Sequence, residues 1–191
     1  EVDMAPIKTL RIWLVLVICA SSAVQAATPR DPYQFFFEQF LGDLTEELQI
    51  AVDDGKKGLF IFFEMDECPF CHRMKRTVLN QSDVQDFFKQ NFHSISIDVE
   101  GDVEIVDFEG NGMTLKDFAS NNRVRATPVM AFYDLEGNQV VRYTGAASGK
   151  QEFMWLAEYY LQGIYKMKDE NGRNIRFSKY KRLKKKQQDI N

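Results

Sequence analysis

The stretch Leu59-Phe60-Ile61-Phe62-Phe63, followed shortly by Cys68-Pro69-Phe70-Cys71, decides the fold. The apolar run is short and rich in aromatic and β-branched residues, which reads as a buried strand. Behind the cysteines, Met74, Val78 and Leu79 recur at helical spacing among His72, Arg73, Lys75 and Arg76, so the pair opens a helix. Pro69 suits the first helical turn, where its missing N–H costs little. A thiol at a helix N-terminus meets unpaired N–H groups and the positive end of the helix dipole. Both favour the thiolate, which is the reacting form. The spacing and setting suggest a redox pair.

On the N-terminal side, Phe36, Phe37, Phe40, Leu41, Leu44, Leu48 and Val52 trace one helical stripe, with a start at Asp31-Pro32 and an end at Asp53-Asp54-Gly55. It reads as one helix packed on a sheet. On the C-terminal side, Ser82 is the expected N-cap of a short helix carrying Val84, Phe87 and Phe88. Phe92 to Val99 alternates as a strand, with Ile95 and Ile97 facing one side and Ser94, Ser96 and Asp98 the other. Glu100 to Gly112 is acidic and glycine-punctuated, and reads as a loop or small insertion. Thr114 to Asn122 reads as a helix. Val129 to Tyr133 and Gln139 to Tyr143 flank the turn Leu135-Glu136-Gly137-Asn138 as a hairpin. A last helix spans Gly149 to about Tyr165. This order predicts an α/β domain with a central mixed sheet and helices on both faces.

The amino terminus carries Lys8 and Arg11, an apolar run from Ile12 to Cys19 and the small-residue pattern Val24-Gln25-Ala26. These fit a signal peptide over 1–26. The apolar run is shorter than the roughly 20 residues needed to cross a bilayer as a helix. Bulky Ile18 before Cys19 argues against a lipoprotein, and the residues before Met4 read as a cloning remnant or misplaced start. Removal of the signal takes Cys19 with it and leaves Cys68 and Cys71 alone. An exported compartment permits such a pair to cycle or rest oxidised. One domain is expected over 27–165. The net charge of −4 hides an asymmetry, because from Lys166 onward basic residues dominate. Residues 166–191 are expected to form a flexible basic tail, for which anionic lipid or an acidic partner is the open functional alternative. Export argues against nucleic acid.

The strand, the CxxC at a helix start, a β-α unit, and Ala126-Thr127-Pro128 leading into a hairpin together resemble the thioredoxin fold, over roughly Gly58 to Tyr165 with Tyr33 to Asp54 as the preceding helix. The resemblance implies a cis Thr127–Pro128 bond beside the cysteines and a neighbouring backbone that pairs with substrate. Sequence alone leaves a proline that merely starts a strand as the other reading. Within that superfamily the chain resembles exported thioredoxin-like proteins of the SoxW type. That likeness is carried by Glu67-Cys68-Pro69-Phe70-Cys71-His72-Arg73-Met74, by Asp98 to Gly110 with Gly101-Asp102 and Asp107-Phe108, and by Arg123-Val124-Arg125-Ala126-Thr127-Pro128. It implies a periplasmic thiol–disulfide oxidoreductase that reduces other exported proteins and draws electrons through the membrane from a thiol donor. No cofactor is implied beyond the Cys68–Cys71 disulfide, and a monomer is expected.

Two departures bear on energetics. Glu67 stands where the family has an aromatic residue, and Phe62 where it has a buried acid that assists proton movement. Glu67 opposes thiolate formation at Cys68, whereas the helix terminus, Arg73 and Lys75 favour it. Cys68 is the expected nucleophile and Cys71 the resolving thiol, with Pro69, Phe70, Thr127 and Pro128 against the substrate. The alternatives are a non-enzymatic exported module whose cysteines hold copper(I) or a static disulfide, and, less strongly, a disulfide oxidase or a glutaredoxin-like enzyme. Zinc would require more ligands than His72 and His93 supply. A static disulfide closing so short a loop stabilises little.

Overall fold

A computed structural model describes residues 29–189; the expected signal peptide, 1–26, lies outside them. The chain runs α1 (Pro32–Phe35), α2 (Leu44–Asp53), β1 (Gly58–Glu64), α3 (Pro69–Thr77), α4 (Ser82–Asn91), β2 (Phe92–Asp98), β3 (Glu104–Val106), β4 (Gly112–Thr114), α5 (Leu115–Asn121), β5 (Val129–Tyr133), β6 (Gln139–Thr144), α6 (Lys150–Leu161) and α7 (Phe177–Gln188). The main sheet has the order β2-β1-β5-β6, with β1 parallel to β2 and antiparallel to β5. Helices cover both faces, as the element order predicts.

Alternation along β1 divides the core. Phe60 and Phe62 join Phe36, Phe88, Phe132 and Phe153 on one face, while Leu59, Ile61 and Phe63 join Ile95, Ile97 and Ala131 on the other. The first face is a lattice of rings. Phe88 stacks on Phe153 with centroids 4.6 Å apart, and Phe60 meets Phe132 at 5.0 Å. Truncating a ring such as Phe60 to alanine in a core this dense costs about 3–5 kcal/mol.

The expected single helix over 31–54 is two helices that serve opposite faces. Phe36 and Phe37 enter the aromatic core, whereas Leu44 belongs to the aliphatic one. Between them the chain rounds the β2 edge, where the Glu38 N–H donates to the Ser94 carbonyl. The turn needs a left-handed residue, supplied by Gly42 at φ 97°, and Asp43 then caps α2 by accepting from Thr45 and Glu46. A stripe of apolar residues at helical spacing was legible; the glycine that cuts it was the stronger signal.

Ser82 is the first residue of α4, and Gln81 holds the cap position without a side-chain bond. The acidic stretch 100–112 is not all loop, because β3 lies within it and pairs antiparallel with β4, which begins at Gly112. The C-terminal segment is not a flexible tail over its whole length. After a 3-10 turn at Ile164–Lys166, α7 docks on α6. Phe177 meets Tyr143 and Tyr159 edge-on at 5.6 Å, Tyr180 is buried, and the Tyr159 hydroxyl donates to the Ile175 carbonyl at 2.6 Å. Its apolar seam is only Phe177 and Tyr180, one turn apart, inside a run of lysines and arginines.

Candidate active site

Cys68 is the N-cap of α3, in an extended conformation, and Pro69 is the first helical residue. Local rules place both: the cap position needs no helical φ/ψ, and proline at the first position sacrifices no hydrogen bond. The two sulfurs are joined in a disulfide. The Cys71 N–H lies 3.1 Å from Cys68 Sγ, so the helix start offers a donor to that sulfur. In the reduced protein this donor and the helix dipole stabilise negative charge on Cys68 rather than on Cys71. Cys71 has no exposed surface and Cys68 retains 3%. Phe70 projects into solvent at 55% exposure, with the Arg73 guanidinium over its ring at 5.3 Å.

The Thr127–Pro128 peptide bond is cis. Pro128 immediately precedes Val129, which pairs with Phe63, so this bond sits at the end of the sheet from which β1 leads to Cys68. The Pro128 carbonyl accepts the Gly145 N–H at 2.8 Å. Among the described residues the Thr127 backbone has no such partner. Pro69, Phe70, Thr127 and Pro128 thus share one end of the molecule with the cysteines.

Phe62 is fully buried in the same apolar cluster as Cys68 and Cys71, and brings no proton-transfer group to them. The acid that does enter this region is Glu64, two residues along the same face of β1. It is 6% exposed and accepts from Tyr33 at 2.9 Å, Ser96 at 2.5 Å and Lys75 at 2.5 Å. Lys75 lies one helical turn after Cys71, so the pair ties the end of β1 to the cysteine helix. Burial alone would lower the Lys75 ammonium, but the hydrogen bonds to Glu64 and Tyr33 outweigh it and raise it above its ordinary value. Lys75, expected with Arg73 to favour the thiolate, has its charge matched by Glu64. Sequence reasoning missed Glu64. The signal was a carboxylate ending an otherwise wholly apolar strand, where an unpaired charge would be costly.

Glu67 is exposed, where solvent screens its charge. The histidines separate: His72 bonds the Asp66 carbonyl at 2.7 Å, whereas His93 is buried against Glu47 at 2.5 Å on the sheet face away from the cysteines. Among the described residues no group of three or more His, Cys, Asp or Glu side chains is arranged to hold a metal ion.

A family model described as thioredoxin-like domain matches residues 44–161. Among solved structures, a thioredoxin-fold protein from Helicobacter pylori is 20% identical, with a TM-score of 0.53, over 61% of this chain and 76% of its own. A DsbH oxidoreductase is 21% identical, with a TM-score of 0.51, over 72% of this chain and 88% of its own. At that identity both likenesses speak for the fold. No curated protein matches the chain.

Proposed function

This chain belongs to the thioredoxin-like domain family, and on that premise we propose that it is an exported thiol–disulfide oxidoreductase of the SoxW kind, reducing disulfides of other periplasmic proteins. The observation that carries the reading is the Cys68–Cys71 disulfide at the start of α3, with Cys68 at the cap and Cys71 beneath it. On this reading Cys68 is the attacking thiolate, and the second thiol keeps the mixed disulfide short-lived.

In the reduced protein, Cys68 Sγ attacks one sulfur of the substrate disulfide. The substrate S–S bond breaks, a Cys68–substrate disulfide forms, and the first substrate sulfur leaves as a thiolate that takes up a proton. Cys71, losing its proton, attacks Cys68 Sγ and expels the second substrate thiolate. Two electrons pass to the substrate, and the protein ends as the Cys68–Cys71 disulfide. A thiol donor in the membrane returns it to the dithiol. Phe70 and the Thr127 backbone flank the substrate sulfur, one as an apolar contact and the other as a main-chain partner.

Two measurements test this. Cys71→Ser is expected to accumulate a mixed disulfide through Cys68, whereas Cys68→Ser forms none and turns nothing over. A potential for the pair near about −270 mV fits a thioredoxin-like reductant, while one near about −120 mV would make the protein an oxidant. Resistance to reduction by every physiological dithiol would remove the enzymatic reading.

A further inference from the structure

A second concave surface adjoins the cysteine loop on the flank of β1 away from Pro128. Strand β1 has β5 on one side and β2 on the other. The cis bond precedes β5, and beyond β2's side lies a cavity of about 430 Å³. Its apolar lining comes from Phe40, Leu41, Met65, Val103, Ile105 and Leu115, drawn from four separate segments. Those segments are fixed before any ligand arrives. The Val106 N–H donates to the Gly42 carbonyl at 2.8 Å, and the Val99 N–H to the Glu64 carbonyl at 2.9 Å. Leu41 is 71% exposed and Val103 64%, so two large apolar side chains stand uncovered on a preformed wall.

The polar part of the lining has one sign. Lys75 neutralises Glu64, but Asp66, Asp98 and Glu104 also face this cavity and none has a cationic partner among the described residues. Met65 and Asp66 belong to the loop that runs directly to Cys68, so whatever lies here is continuous with the site of sulfur exchange.

We propose that this groove holds a segment of the disulfide-bonded substrate protein in which a lysine or arginine adjoins a large apolar residue. The apolar residue covers Leu41 and Val103, and the cation meets Asp66, Asp98 and Glu104. The inference rests on the oxidoreductase reading and adds a substrate class to it: cationic polypeptides are reduced ahead of acidic ones. The substrate chain is gripped on both sides of its reacting sulfur, by the Thr127 backbone on one flank of β1 and by the groove on the other.

The test offers reduced protein two disulfide-bonded peptides that differ only in a Lys-Leu or Glu-Leu pair beside the cysteine, and follows protein oxidation by quenched mass spectrometry. The Lys-Leu peptide is expected to react about fivefold faster at low salt, the scale of one or two exposed charge contacts. The ratio should fall toward one at high salt and in the Val103→Ser/Glu104→Lys variant. A ratio near one in the unaltered protein, or one that survives in the variant, overturns the proposal. A cysteine-free Lys-Leu peptide, titrated by NMR into protein carrying Cys68→Ser and Cys71→Ser, reads the groove independently of chemistry. Binding abolished by the Val103/Glu104 changes supports the groove as a site for cationic, apolar peptide, while two unreactive disulfides would reject the oxidoreductase reading on which the substrate class rests. Groove signals that follow protein concentration instead of peptide would mean that a second copy occupies it, and the proposal fails.

Discussion

Two buried glutamates, Glu64 and Glu152, carry the same set of partners at different places in the molecule. Glu64 accepts from the Tyr33 hydroxyl, the Ser96 hydroxyl and the Lys75 ammonium; Glu152 accepts from those of Tyr143, Ser148 and Lys181, at 2.7, 2.6 and 2.9 Å. Each is nearly inaccessible, at 6% and 5%. Each clamps a helix: Glu64 holds α3 to the end of β1, and Glu152 holds α7 to α6. A glutamate ringed by a tyrosine, a serine and a lysine is therefore a fastening. What gives one of them a bearing on function is the helix it fastens, since α3 carries the cysteines and α7 does not.

The comparison breaks most visibly at the acids themselves. Glu64→Ala strands the Lys75 ammonium, whose side chain is 14% exposed, and should cost about 3–5 kcal/mol. Glu152→Ala strands Lys181, which at 27% exposure still reaches water, so about 1–3 kcal/mol is expected. Denaturant unfolding gives both numbers. Only Glu64→Ala should also shift the potential of the cysteine pair, read against a dithiol redox buffer. An equal shift in Glu152→Ala would erase the distinction between the two clamps.

The lysines give a smaller contrast. Lys75→Met leaves the Glu64 carboxylate two hydroxyl donors and loses about 1.5–3 kcal/mol, as for a hydrogen bond to a charged group. Lys181→Met should lose about 0–1 kcal/mol, the range of exposed pairs. The smallest effect is in pH. Burial alone would raise the Glu152 carboxyl, but hydrogen bonds from Ser148, Tyr143 and Lys181 outweigh it and hold it below the usual carboxylate range. A lowered folded value means that its stabilisation is complete above about pH 4.3 and is lost as the pH falls through the folded value. The gap in urea midpoint between the unaltered protein and Glu152→Gln should therefore narrow below pH 4. A gap that widens with acid would reverse the sign and refute the clamp at α7.

Much of this arrangement was legible in the sequence. The β1 run, the proline inside the cysteine pair and the hairpin turn each obey rules that act within a few residues, and each lies where it was expected. The two halves of the 31–54 stripe were not separable by periodicity, because residues on opposite faces of a sheet can keep helical spacing on either side of one glycine. Lysines 181 and 184 read as solvated charge until their acids, Glu152 and Glu158, are brought beside them by folding. Glu64 was hidden for the same reason: its partners come from residues 33, 75 and 96, and no window of sequence contains them all.

The crossover that rounds β2 has a further consequence, for association. A sheet with the order β2-β1-β5-β6 has two margins at which a stray strand could be recruited. At one of them the Ser94 carbonyl is already taken by the Glu38 N–H, where the chain between α1 and α2 crosses it. Recruitment is blunted there by the protein's own chain. Of the two margins of the main sheet, β6 is therefore the more open to an added strand.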